Sequence, residues 1–112
     1  MQYALLIYAR PSDREAARPM DSTIAAVLAR PNVTGWARLH ADGSATTVRE
    51  SDNQQVLTDG PFIETKEFLA GLVMVEADNL DQALAVAKEL KQTMTGGAIE
   101  VRPVREALFH GA

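Results

Sequence analysis

Two side chains of this sequence have the chemistry to move a proton near neutral pH. His40 stands at the end of an extended run, just before Ala41-Asp42-Gly43, and Asp59 heads the segment Asp59-Gly60-Pro61-Phe62. Histidine titrates in the physiological range, and a carboxylate beside it favours the charged form, so a His–Asp pair on one cleft is a general acid/base. Each residue also has a plainer reading: His40 as a solvated turn residue, Asp59 as the cap of its own turn, with Gly60 and Pro61 setting the backbone. A second histidine, His110, lies among the last three residues, where chain ends fray. Tyr8, Trp36 and Arg38 are candidates for a ligand wall, because an aromatic plus a guanidinium suits a planar carboxylated molecule. Aromatics on strands more often fill a core. Glu64, Lys66 and Glu67 form a charge cluster. It is either a solvated loop with exposed ion pairs worth ~0–1 kcal/mol each, or a place where Lys66 holds an anionic ligand or an opposing subunit.

The elements that must position these residues follow from periodicity. Tyr3 to Ala9 is a short apolar run of β-formers ended by Arg10-Pro11, which suits a buried central strand. Ser12-Asp13-Arg14-Glu15 has capping-box spacing, but Pro19 interrupts it. A helix is expected at about Met20 to Ala29, with Ile24, Val27 and Leu28 on one face and Pro31-Asn32 as its stop. Val33 to His40 reads as a strand with a bulge at Gly35, and Ala45 to Glu50 as another; the turn through Asp42-Gly43 joins the two into a hairpin. Gln55 to Thr58 is a short strand after a second polar turn. Phe68 to Glu76 is a central strand. Asp78-Asn79 caps a second helix with Leu80, Ala83, Leu84, Ala87 and Leu90 as its apolar stripe, and Gly96-Gly97 lead into a last strand, Ala98 to Val104.

The resulting order, β-α-β-β-(β)-β-α-β, predicts an α+β fold: a ferredoxin-like split βαβ sandwich with an antiparallel sheet and two helices on one face. The other sheet face keeps apolar side chains and needs a cover, for which a second copy of the chain is the simplest source.

The segment Asp59-Gly60-Pro61-Phe62-Ile63-Glu64-Thr65-Lys66-Glu67 resembles the signature of the DGPF (DGPFAETKE) domain family of the YCII-related proteins, departing from it only at Ile63. The similarity runs in order through nearly the whole chain: the opening Met1-Gln2-Tyr3-Ala4-Leu5-Leu6-Ile7-Tyr8, Leu39-His40 with Ala45-Thr46-Thr47-Val48-Arg49, Leu80-Asp81-Gln82-Ala83, and the closing Gly97 to Val104. It is weakest from Pro11 to Trp36, and Ala41-Asp42 stand where the family has prolines. The resemblance implies a homodimer of the dimeric α/β-barrel type with the sheets facing each other. It also implies a His–Asp pair at the dimer cleft, with Asp59 as the natural partner of His40.

The chain has 112 residues, 46% hydrophobic and 23% charged, which predicts one globular domain, 1–112. A net charge of −4 argues against a nucleic-acid module. With no cysteine, a thiolate nucleophile and Cys-ligated zinc are excluded. Metal and cofactor motifs (HExxH, EF-hand, GxGxxG, Walker A) and the GxSxG elbow do not occur, so no cofactor is expected. The first residues lack a basic n-region and cleavage site, and no apolar run spans a bilayer, which predicts a cytoplasmic protein without membrane contact. Three classes of function remain. One is acid/base chemistry on a small organic molecule; relatives in the wider superfamily include a dehydrochlorinase, muconolactone isomerases and cofactor-free monooxygenases. The second is a ligand-sensing or regulatory module, since the resemblance implies a link to extracytoplasmic-function sigma factors. The third is a dimerisation domain without a ligand.

Overall fold

Two long apolar strands organise the molecule. The structure, a computed structural model, describes residues 1–10, 22–40, 42–63 and 66–109. Strand β1 (Gln2–Ala9) and strand β5 (Phe68–Glu76) lie side by side at the centre of a four-stranded antiparallel sheet, flanked by β2 (Val33–Arg38) beyond β5 and β6 (Ala98–Pro103) beyond β1. The order β2-β5-β1-β6 is that of the ferredoxin-like split βαβ fold. Helices α1 (Ser22–Leu28) and α2 (Leu80–Gln92) occupy the two crossovers and cover one face.

Alternation along the central strands decides which side chains meet the helices. Tyr3, Leu5, Val73 and Val75 are buried, and they pack with Val27 of α1 and Ala83, Val86, Ala87 and Leu90 of α2. Their neighbours in sequence, Ala4, Leu6, Leu72 and Met74, point to the opposite face and are only half-buried. The expected one-sided cover is therefore present, and the second face stays apolar and open within one chain.

Helix α2 starts where the sequence says it should. The Asn79 side chain accepts a hydrogen bond from the Gln82 amide at 3.0 Å, and the Gln82 side chain accepts from the Asp78 amide at 2.9 Å. Asp81 in the first turn and Lys91 in the last suit the helix dipole. The buried stripe is rotated from the expected one: Leu80 is exposed and Leu84 half-buried, while Val86 is buried. A stripe drawn through every leucine overlooked a β-branched residue that faces the sheet squarely. For α1, Met20 and Asp21 lie outside the described residues, as do Ser12–Arg18.

The hairpin is not the expected one. Strands β3 (Thr46–Ser51) and β4 (Gln54–Asp59) pair with each other as a separate two-stranded sheet, and β2 pairs with β5 instead. The reason is turn chemistry. Asp52 and Asn53 both adopt positive φ (52° and 64°), as a two-residue hairpin loop of the favoured primed type requires, whereas Asp42–Ser44 forms a 3₁₀ turn.

The two helices are tied by Arg30, just after α1, which donates to both carboxylate oxygens of Glu89 at 3.0 and 2.5 Å. This hydrogen bonding holds the Glu89 carboxyl below its ordinary value of 4.5, against a smaller opposing effect of burial. A depressed carboxylate stabilises the fold above its unfolded pKa and loses that effect as pH falls through the folded value. Wild type should thus melt slightly higher than Glu89→Gln at pH 7, and the gap should close below the ordinary carboxylate range. Melting curves across pH 2–7 check this; a gap that persists in acid would show that the ion pair is not its source.

Candidate functional site

Beyond the last turn of α2 the helix layer stops short of the strand ends and leaves a cleft of about 300 Å³. Its floor is the sheet: Ile7 and Ala9 of β1, Trp36 to Arg38 of β2, and Ala70 to Val73 of β5. Its roof is Ile24 and Leu28 of α1, Leu90 of α2, and the segment Thr93-Met94-Thr95-Gly96 that leads back towards β6. The volume is at the small end for a ligand pocket, and the walls are mostly apolar with a few polar groups, as such pockets are.

Trp36 reaches this cleft because of a bulge. Val33 pairs with Val75, and Gly35 with Met74, so β2 carries one extra residue, Thr34, against β5. In a regular strand Val33 and Trp36 would face opposite ways, three positions apart. The extra residue restores them to the same face. Trp36 then lies opposite Val73 and Arg38 opposite Gly71, both on the helix side. Trp36 is still 47% exposed, so its ring borders an open space and does not fill a core. Gly71 keeps the floor tight, since a Cβ there would sit 2.7 Å from the Ala37 carbonyl oxygen.

The helix C-terminus shapes the far wall. The Thr93 amide and hydroxyl both donate to the Leu90 carbonyl, at 3.1 and 2.7 Å, which ends α2. Gly96 and Gly97 follow at φ of 72° and 71° and turn the chain into β6.

The candidate residues read from the sequence divide between places. Trp36 and Arg38 line the cleft together. Tyr8 alternates to the open sheet face and does not line it. His40 is exposed two residues beyond β2, next to Leu39, whose amide donates to the Ala70 carbonyl at 2.8 Å. Asp59 ends β4, exposed, opposite Thr46. Among the described residues no hydrogen bond or ion pair joins His40 to Asp59, and neither lines the cleft. Lys66 is exposed just ahead of β5. Glu64, Thr65 and His110 lie outside the described residues. The cleft residues that sequence reasoning missed include Ile7, Ile24, Leu28, Leu90 and Met94, which carry no mark distinguishing them from core.

Two hydrogen bonds at Gly60 fasten the turn after Asp59 to β3 and the residue before it. The Gly60 amide donates to the Ala45 carbonyl at 2.7 Å, and the Thr47 hydroxyl donates to the Gly60 carbonyl at 2.8 Å. Gly60 has φ 98°, a region that L side chains avoid. Gly60→Ala should therefore destabilise by at least about 1 kcal/mol, where a compatible site would gain ~0.4–1 kcal/mol. Urea melts compare the two; a stabilised variant would remove the reading.

No group of three or more His, Asp or Glu side chains suited to a metal ion occurs among the described residues, and no described helix is long and apolar enough to cross a membrane. In comparisons with known proteins, the family model of the YCII-related domain matches residues 1–108. The chain is 31% identical over 114 residues to an uncharacterized protein of Rhizobium meliloti (strain 1021), a match that covers 93% of this chain and 92% of the relative.

Proposed function

The chain belongs to the YCII-related family, and on that premise we propose that it binds a small organic molecule in the cleft between its sheet and its helices. The supporting observation is Trp36: a bulge turns this half-exposed aromatic onto a mostly apolar cleft of about 300 Å³. A ring in that position offers stacking area at little entropic cost.

The same residue supplies the test. Trp36 is the chain's one tryptophan, so its fluorescence reports on the cleft alone. Compounds from a metabolite library that raise the melting temperature should also quench or shift Trp36 emission, and both responses should vanish in Trp36→Ala. A ligand at 100 times its Kd stabilises by ~2.7 kcal/mol, which a thermal screen reads easily. Hits that stabilise Trp36→Ala as well as wild type, or a library without hits, would overturn the proposal.

The functional unit in this reading is a homodimer closed through the open sheet face, and any acid/base step falls to His40 and Asp59. Both are exposed and unjoined within one protomer, so the pair takes its working geometry from the assembly. His40→Gln and Asp59→Asn should then leave Trp36-detected binding intact while removing turnover of a bound substrate. Loss of binding in both variants would place them in the ligand site instead, and undiminished turnover would end the acid/base reading.

A further inference from the structure

The charge distribution around the cleft narrows the ligand further. The chain as a whole is acidic, with a net charge of −4. Among the described residues that line the cleft there is nonetheless no carboxylate, and Arg38 is the one charged side chain. It stands two residues beyond Trp36 on the same face of β2, so an aromatic surface and a guanidinium are presented side by side.

A second guanidinium lies beside a lining residue of the cleft. Arg10 follows β1 directly, and its side chain lies over Gly96, which lines the cleft: a methyl group on Gly96 would stand 2.6 Å from the Arg10 Cδ and Cζ. Glycine at that position leaves room for the guanidinium to lie against the turn. Arg38 thus lines the cleft from β2, and Arg10, at the end of β1, lies against one of its lining residues, Gly96. Arg38 and Arg10 each also interact within the chain. A guanidinium has five N–H donors, so such an interaction and a ligand are compatible.

We propose that the cleft takes an organic anion: a flat apolar body against Trp36, its carboxylate on Arg38, with Arg10 adding positive potential beside Gly96. This rests on the ligand-binding reading above and adds the class of ligand. A planar guanidinium fork matches a carboxylate, and a desolvating apolar wall strengthens that pairing.

The test uses matched acid and amide probes of the same shape and weak emission: benzoate and benzamide, phenylacetate and phenylacetamide, cinnamate and cinnamamide. Affinities come from Trp36 fluorescence with the full chain at low and moderate salt. At least one acid should bind tenfold or more tightly than its amide. Arg38→Gln should cut that preference to about twofold or less while leaving amide affinity in place, and Arg10→Gln should weaken acid binding a few-fold, most at low salt. Amides that bind wild type as well as acids would overturn the anion proposal and leave the cleft reading standing. An acid preference that survives both substitutions would place the anion elsewhere and overturn it too. Failure of every probe to perturb Trp36 would count against the cleft itself.

Discussion

Leu5→Asp is expected to leave no folded protein, whereas Leu6→Asp, one position along, is expected to leave a folded monomer. Leu5 has no solvent exposure and lies between Val73 of β5 and Val101 of β6, beneath the helices. A carboxylate there has no partner, and even the mild change Leu5→Ala should cost about 2–5 kcal/mol of a total near 5–15 kcal/mol. Leu6 points the other way, into the open face with Ala4, Leu72 and Met74. Within one chain a charge at Leu6 meets water. In the proposed dimer it meets the partner's apolar face, and the cost is paid in association. Circular dichroism with light scattering at micromolar concentration separates the cases. Leu5→Asp that melts like wild type would show the facing of β1 to be wrong. Wild type that is already monomeric, or a Leu6→Asp protein that remains dimeric, would rule out a dimer built on this face.

Much of this fold was legible because its strongest signals are local. An apolar β-branched run has few other uses, so the sequence delimits β5 at Phe68–Glu76 to the residue, and the Asn79 cap marks the start of α2. Strand pairing is a different matter, because it is non-local. Asp42-Gly43 is a good hairpin signal in isolation, yet β2 gains more by docking on β5, where it completes the sheet that the helices cover. The site shows the same division. Trp36 and Arg38 were visible as an aromatic and a cation two apart, and a glycine suggested the bulge. That the bulge reverses the parity of β2 and separates Trp36 from Tyr8 follows only once the register with β5 is known. Arg10 carried no signal at all. The place of its side chain depends on the turn after α2, far away in sequence, where Gly96 leaves space for it.

Gly97→Ala tests how strictly that turn is built. Gly97 has φ 71°, which for an L residue costs about 1–2 kcal/mol. Space is the larger difficulty. A Cβ on Gly97 would collide with the carbonyl oxygen of Tyr8, and this neighbour is backbone in a central strand, paired with Ala98 of β6 and Leu69 of β5. The carbonyl cannot swing aside as a side chain would. Relief requires β6 to move off β1 at the point where the two strands begin to pair. Gly96 has a similar φ, 72°, but the three atoms nearest to a Cβ there all belong to the Arg10 side chain, which can move. Gly43 has open space around its Cα hydrogens and no positive φ. The three alanine variants should therefore rank in order: Gly97→Ala loses at least about 2 kcal/mol, or roughly 8 °C in Tm, Gly96→Ala loses less, and Gly43→Ala is near neutral. Gly97→Ala should also lose amide-exchange protection along β6 before β5, because the collision lies at the β1–β6 seam. Equal losses at Gly96 and Gly97 would mean that the left-handed backbone alone sets the cost and that the close approach to Tyr8 contributes nothing.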